Sequence, residues 1–530
     1  MNFNSRRSNV RSTNGMVATT QPLAAAAGVK VLMNGGNAVD AAVTTAAVLN
    51  VVEPHSTGIG GDLFALVWTA KDRSVQALNA CGRSPSGASL EELRSKGYQS
   101  IPDQSPFSVT VPGTVNGWET LLDRYGNTSL NDALQPAIEH AERGFPVSEI
   151  ISDHWQVGGP RLAAGPAGGE LLLNGSSPAA GDIMKIPTLG ESLRSVAEGG
   201  SDAFYRGPLS ARIADFVQSM GGWLSTGDMA AHESTWVDPI SSTYRGFECW
   251  QCPPPSQGVN ALLALNIAEG FDLSKMGFQT ADTYHALIES MRLAFADSLH
   301  YVTDPHSMPV APQDLLSKDY ASERRSLISS ERALPLVAHG SPPVHHNTVY
   351  VSAVDGDGNA CSLINSVFMS FGSALIVPGT GIALHNRGAS FSLDPEHPNR
   401  LEPNKLPYHT LIPGMVTRNG ELVASYGVMG AMQQAQGHLQ TLVNMIDFGL
   451  EPQQALDAPR FSVRLGEGVA IEERVDPAIA RDLSDRGHRI LVSPPHGIIF
   501  GSGQVITRNA ETGVLTGGSE PRADGFAMGW

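Results

Sequence analysis

Two rhythms of apolar and polar positions run through this 530-residue chain. Apolar residues recurring every three or four positions predict helices; short runs of β-branched and aromatic residues between turn residues predict strands. Residues 22–33, rich in Ala and Val, read as a helix closed by Gly35-Gly36. A second helix is expected from Asn37, with Asp40 three positions on, to about Leu49. The text Glu53 to Asp62 is a glycine turn entering a buried strand, Leu63 to Trp68. Helices are predicted after Val111–Gly117, over 130–143 and 189–198, and from near Val259. The clearest covers 282–300, where Leu287, Ile288, Met291, Phe295 and Leu299 fall at helical steps. Residues 329–347 carry Pro, Gly, Ser and His without sustained periodicity and read as an exposed linker. Immediately after them Thr348 to Val354 reads as a strand, Asp355–Asn359 as a hairpin turn, and Ala360 to Val367 as the returning strand. Hairpins follow at 374–384 and 411–427, then a helix over 433–447. The chain thus divides into a long half before Thr348 and a shorter half from it, with no fixed-period repeat.

Composition narrows the function classes. The chain is 41% hydrophobic and only 16% charged, with 56 glycines, which favours tight turns and close backbone approach over disorder. A formal net charge of -17 repels phosphate backbones and argues against nucleic-acid binding. No apolar run is long enough to predict a membrane span. The first residues, MNFNSRRSNVRSTNG, are basic but lead into no apolar segment, so no secretory signal is predicted and a cytoplasmic location is expected by default. Cys81, Cys249, Cys252 and Cys361 are too few for a disulfide framework.

Several patterns invite a chemical reading and do not sustain it. The Gly58-Ile-Gly-Gly61 turn lacks the last glycine of a dinucleotide loop, having Leu63 there, and enters a strand instead of a helix. Cys249 and Cys252 form a CxxC with no second half, and read as buried thiols on a short strand. His285 and Glu289, one helical turn apart, read as a surface hydrogen bond or core support more readily than as metal ligands. His345-His346 alone cannot close a metal site. No metal or cofactor is expected. Thr348 differs from these. If the bond before it breaks, its α-amine (pKa ~7.7–8.0) lies beside its own hydroxyl and can act as its general base. Taken alone, a threonine opening a strand is an ordinary structural residue.

The run Thr348-Val-Tyr-Val-Ser352-Ala-Val-Asp355-Gly-Asp-Gly-Asn359 resembles the small-subunit start of γ-glutamyltranspeptidases. Gly35 to Ala42, Glu53-Pro followed by Gly58-Ile-Gly-Gly61, Val111 to Val115 and Pro253-Pro-Pro-Ser-Gln-Gly258 are similar to that family's large subunit. So are Met291-Arg292, Phe295-Ala-Asp297, Asp304-Pro305 and Pro378-Gly-Thr-Gly-Ile382. The matches run in order from about residue 17 to 465. The resemblance implies an α/β fold, a four-layer αββα sandwich with one large core formed by both subunits. It also implies a precursor cut between Asn347 and Thr348 into 1–347 and 348–530, with Thr348 as nucleophile on a small amide. Ser366 matches a hydroxyl position beside the nucleophile. Gly430 and Ala431 match the Gly-Gly whose N–H groups form an oxyanion hole. His409 and Thr410 stand where the family has a Ser-Ser pair. Partners are a small-molecule substrate and the two subunits of one precursor, with a dimer of such pairs left open.

The departures bear on substrate. The family arginine that holds a glutamyl α-carboxylate falls at Cys81, with Arg83 two positions on, and the aspartate that holds the amino group falls at Ser390. Arg387 stands at a position usually Gln, and the family's second Thr is Val349. These departures resemble the oxamate amidohydrolase branch, and leave open whether Arg83 or Arg387 pairs with a substrate carboxylate. Three functions follow: a γ-glutamyltransferase or glutathione hydrolase-like amidase, an oxamate-type or other short-acyl amidase, and an unprocessed scaffold without catalysis.

Overall fold

The structure is a computed structural model that describes residues 7–335, 348–494 and 497–530. The expected junction at Asn347 and the His345-His346 pair lie outside the described residues.

Fourteen strands build two large sheets. In chain order they are β1 (Val10–Ser12), β2 (Gly15–Thr19), β3 (Asp62–Thr69), β4 (Ser74–Ala80), β5 (Thr235–Val237), β6 (Ile240–Tyr244) and β7 (Phe247–Gln251) from the first half. The second half supplies β8 (Val349–Asp355), β9 (Ala360–Ser366), β10 (Gly414–Arg418), β11 (Glu421–Met429), β12 (Ser502–Arg508), β13 (Leu515–Ser519) and β14 (Phe526–Gly529). The first sheet runs β14-β2-β8-β9-β3-β4-β5 and the second β1-β13-β12-β11-β10-β7-β6, with antiparallel neighbours throughout. The β8–β9 hairpin therefore sits in the middle of the first sheet, flanked by β2 and β3 from the other half of the chain. Residue 348 is a boundary in sequence but not between domains.

The alternation of side chains along each strand splits the core into layers. Val349, Val351 and Ala353 of β8 point outward with Leu63, Ala65 and Val67 of β3, onto helices α1 (Pro22–Met33), α2 (Ala38–Val52), α3 (Thr114–Tyr125), α4 (Leu130–Arg143) and α5 (Pro187–Tyr205). Tyr350 and Val354 point inward with Phe64, Leu66 and Trp68 and meet Met415, Met429 and Ile506 of the second sheet. The outer face of that sheet packs Val416, Ala424, Tyr426 and Val505 onto α6 (Gly258–Ala268), α7 (Ala281–Tyr301) and α8 (Gln433–Ile446). This is the expected αββα sandwich.

Local signals explain the elements next to the site. Asn37 accepts from the amides of Val39 and Asp40 while Asp40 accepts from Asn37, a reciprocal cap on α2. α2 is buried along its whole length between the sheet and the outer helices, so its sequence lacks a polar face. The helix predicted to stop near 198 continues to Tyr205. Gly200, at φ 66, absorbs a kink, and Glu119 accepts from the Ser201 amide just beyond it. Cys249 and Cys252 are buried free thiols. No helix among the described residues is long and apolar enough to cross a membrane.

Candidate active site

Strand register brings the nucleophile candidate to its neighbours. Val349 of β8 opposes Asn365 of β9, so Thr348 opposes Ser366, and Ser366 in turn opposes Asp62 of β3. Residues directly opposite in antiparallel strands share a face. Thr348, Ser366 and Asp62 therefore form one row across three strands, on the inner face. Thr348 Oγ1 and Ser366 Oγ are 3.0 Å apart and buried. Ser366 Oγ also accepts from the amide of Phe368 at 2.8 Å. The row is braced from behind by Asn365, whose side-chain amide donates to the Asp62 carbonyl and to Thr114 Oγ1, both at 2.8 Å.

The facing sheet places Gly430 and Ala431. Ser352 bonds Ser425 at 2.7 Å, and the Tyr350 ring lies over Gly427, where a Cβ would meet it at 2.5 Å. Met429 ends β11 in the same inner core as Tyr350, and Gly430 and Ala431 follow it in the chain. The carbonyls of Gly430 and Ala431 accept from the amides of Gln433 and Gln434 as α8 begins. Their own amides donate no backbone hydrogen bond among the described residues. Amides at a strand-to-helix junction carry the positive end of the helix dipole. Gly430 has φ 127 and Ala431 φ 51. The backbone that the alanine had to tolerate is thus left-handed, which costs about 1–2 kcal/mol for a residue with a Cβ. Gln257 holds that conformation: its side-chain amide donates to the carbonyls of Ala431 and Thr410, both at 2.8 Å. Arg460 supports it from the other side, donating to the carbonyls of Phe500 and Gly501, where Gly501 packs against Gly430.

Asp62 is a hub that the sequence reading treated only as the end of a glycine turn. His409 Nε2 lies 3.0 Å from Asp62 Oδ2, and His409 Nδ1 accepts from the Leu411 amide at 3.2 Å. That second bond fixes the tautomer: Nε2 carries the proton and donates to the carboxylate. Burial and the Arg387 guanidinium hold His409 down at about 3, against the pull of Asp62. At neutral pH it therefore acts on Asp62 as a hydrogen-bond donor and not as a charge. His385 donates from Nε2 to the Thr110 carbonyl at 2.9 Å, and its Nδ1 stands 3.1 Å from Asp62 Oδ2, off the line of a hydrogen bond. Burial opposes the charge on Asp62, but His385 and His409 hold its carboxyl well below the usual carboxylate range.

Arg387 is fully buried, with Nε 3.8 Å from Asp62 Oδ2, Nη1 donating to Thr410 Oγ1 at 2.9 Å, and the guanidinium 3.9 Å from the Phe368 ring centroid. Burial lowers its pKa to about 10 while Asp62 works the other way, so it stays cationic at neutral pH. Among the described residues its Nε and Nη2 have no hydrogen-bond acceptor, nor has the neighbouring Ser390 Oγ a partner. Phe368 holds φ 77, an outlier for an aromatic residue, at the point where it stacks under the guanidinium. Arg83 is differently placed: half-exposed, it donates to Asp304 at 3.0 Å and to the Asn404 carbonyl at 2.9 Å, so its charge is already matched. Asp62, Cys81 and His409 bring an oxygen, a sulfur and a nitrogen within 4.8 Å of one another, a spacing that suits a cation. Arg387 already supplies positive charge there, and burial with Asp62 pushes the Cys81 thiol well above its ordinary value.

The glycines of this region serve close approach. A Cβ on Gly60 would meet the Ala383 carbonyl at 2.3 Å, and one on Gly61 would meet that of Ser366 at 2.3 Å. At Gly82, whose amide reaches Asp62 Oδ1 at 3.3 Å, a Cβ would fall 1.6 Å from the Val111 carbonyl oxygen. Gly82→Ala is expected to lower stability by about 1–3 kcal/mol or more, read as a lower urea midpoint at unchanged slope.

A carboxylate at the head of an apolar strand is the one signal that could have singled out Asp62. His385, Gln257, Phe368 and Arg460 had none of that strength.

A four-layer sandwich of this kind, with a threonine opening an inner strand and a hydroxyl beside it, is the architecture of N-terminal-nucleophile hydrolases. A profile described as Gamma-glutamyltranspeptidase matches residues 24–530. The chain belongs to the γ-glutamyltranspeptidase family, and is a hydrolase or acyltransferase of that class. It is 38% identical over 98% of its length to the glutathione hydrolase-like YwrD proenzyme of Bacillus subtilis (strain 168), covering 99% of that protein. It is 33% identical to the oxamate amidohydrolase proenzyme of Klebsiella pneumoniae, covering 98% of this chain and 99% of that one. Its fold superposes on the crystal structure of a cephalosporin acylase from Bacillus halodurans with a TM-score of 0.94 and 45% identity, over 100% of this chain and 98% of the other.

Proposed function

We propose that this protein is a self-cleaving proenzyme whose Thr348 then hydrolyses, or transfers the acyl group of, a small carboxylated amide. The observation that carries the reading is the buried 3.0 Å contact of Thr348 Oγ1 with Ser366 Oγ, in one row with Asp62. In the first reaction Thr348 Oγ1 attacks the carbonyl of Asn347. The C–O bond forms, the C–N bond breaks, and the hydroxyl proton passes to the departing nitrogen. Water then hydrolyses the ester and leaves Thr348 with a free α-amine. In the second reaction that amine takes the Oγ1 proton as the hydroxyl attacks a substrate amide. The Gly430 and Ala431 amides stabilise the developing oxyanion, where each donor is worth roughly 10²–10³ in rate. The leaving amine takes the proton, and water or another amine resolves the acyl-enzyme.

Arg387 receives the substrate carboxylate in this reading, through the Nε and Nη2 donors that have no hydrogen-bond acceptor among the described residues. Ser390 and Thr410 flank it, and His409 is held by Asp62 as a neutral wall of the pocket. Relatives named for glutathione hydrolysis, oxamate hydrolysis and acylase activity support amide chemistry of this kind. Cys81 in place of the glutamyl-binding arginine favours a short carboxylated acyl group over a γ-glutamyl one. The test compares hydrolysis of oxamate with that of a chromogenic γ-glutamyl anilide, in the wild type and in Arg387→Met. The variant is expected to raise KM for carboxylated substrates roughly 10- to 100-fold, the loss of one charge-assisted contact of about 1.5–3 kcal/mol. An unchanged KM would remove Arg387 from substrate binding; strong glutamyl turnover would overturn the short-acyl preference.

A further inference from the structure

The tail of the first half, Ser329–Pro335, has no regular structure, yet six of its backbone groups are bonded by polar groups from two directions. From α7, His285 Nε2 donates to the Ser329 carbonyl at 2.7 Å. Glu289 Oε2 accepts from the Leu334 amide at 3.1 Å, and Arg292 Nη2 donates to the carbonyls of Leu334 and Pro335 at 2.9 and 3.4 Å. From the second half, the turn after α9 (Pro477–Asp485) adds two bonds. Arg486 Nη1 donates to the Ser330 carbonyl at 3.1 Å, and the Arg486 carbonyl accepts from the Ala333 amide at 2.8 Å.

The cluster is pre-organised. Arg292 Nη1 pairs with Glu289 Oε1 at 2.6 Å, and His488 Nε2 meets His285 Nδ1 at 2.8 Å. Because His285 spends its Nε2 proton on a carbonyl, its Nδ1 accepts from His488. Arg486 is itself clamped by Asp282 and Asp482, both at 2.6 Å. The pair read from sequence as a surface hydrogen bond or core support, His285 and Glu289, thus faces the segment that leads to the expected cleavage point.

We propose that His285, Glu289 and Arg292, with Arg486 and His488 of the other half, form a cradle that positions the chain for self-cleavage at Thr348. The inference rests on the self-cleavage reading above. Twelve residues, 336–347, connect Pro335 to Thr348. Thr348 is fixed at one end by β8, and the cradle fixes the other. Pinning both ends lowers the entropy of the connection and limits the directions from which the residue-347 carbonyl reaches Oγ1. None of the cradle's hydrogen bonds given above reaches Thr348, so in this proposal it acts on the first reaction and not on the second. Its contacts also bridge the two chains that cleavage creates, so the tail stays docked afterwards.

The test follows precursor splitting on gels during cell-free synthesis of the full chain, in the wild type, Arg292→Met and Arg292→Lys. Arg292→Met is expected to slow splitting roughly tenfold or more, and Arg292→Lys, which keeps a donor and the Glu289 pair, to recover part of that rate. The molecules that have split, counted by their Thr348 amine, should turn over substrate at the wild-type rate, while loss of the Glu289 pair lowers their unfolding temperature. Splitting of Arg292→Met at the wild-type rate would overturn the proposal. So would a parallel fall in splitting, turnover per split molecule and unfolding temperature, which would show support of the fold alone. A wild type that never splits would instead overturn the self-cleavage reading and carry this inference down with it.

Discussion

Thr348→Ala is expected to yield a single chain of 56.0 kDa that hydrolyses no amide above background, where the wild type yields fragments 1–347 and 348–530. One substitution removes two reactions because the same oxygen serves both. Without Oγ1 the Asn347–Thr348 bond has no internal nucleophile, and without cleavage there is no α-amine to act as base. Removing a nucleophile that works as part of a unit costs roughly 10⁴–10⁶ in turnover. The fold should survive, since Val349 and Tyr350 carry the packing of β8 while Thr348 precedes the strand. Thr348→Ser keeps the hydroxyl and should restore splitting. Gel electrophoresis and the mass of the intact protein read all three. A wild type that runs as one chain, unchanged by Thr348→Ala, would leave the unprocessed scaffold as the surviving function.

Local patterns carried much of the fold into view. The cap at Asn37 and Asp40, the helix over 130–143 and the hairpin from Thr348 depend on neighbours within a few positions, and the structure has them where the periodicity put them. The site was legible only in pieces. Thr348 gained meaning from a resemblance spread over most of the chain; by spacing alone it was a strand-opening residue. What separates Arg83 from Arg387 is burial, which no local pattern encodes. Arg83 ends on Asp304 near the surface, and Arg387 ends against Phe368 and Asp62 in the core. The Asp62 hub draws His385 and His409 from more than 300 positions away, through the pairing of β3 with β9. Even the Ala431 substitution hid its consequence: the residue type shows that a donor is kept, while the left-handed φ and the Gln257 bonds that hold it appear only in three dimensions.

The same buried polar residues should make the protein sharply sensitive to acid. His55, His409, His438 and His488 are buried. Burial holds His409, His438 and His488 down at about 3, and holds His55, beside His154, well below its ordinary value. In the unfolded chain each takes a proton near pH ~6.5. Between that pH and the folded value the unfolded state binds more protons, so stability rises with pH and is lost as pH falls. Each such imidazole costs about 1.4 kcal/mol per pH unit across that window. Glu53 works the other way. Burial raises its carboxyl to about 8, so the stability it contributes is present in acid and lost as pH rises through that value. These four imidazoles against that carboxyl leave a net loss of about 4 kcal/mol per pH unit below pH ~6.5, so a fold worth about 5–15 kcal/mol should unfold cooperatively between pH ~5 and ~3. Circular dichroism and tryptophan fluorescence across an acid series would give the midpoint. His438→Gln removes one titrating ring, whose Nδ1 accepts from Gln251 at 3.1 Å, and should move that midpoint to lower pH. A protein that keeps its tertiary signal to pH ~2, below the folded values of these rings, would show that the imidazoles gain their protons without losing their packing.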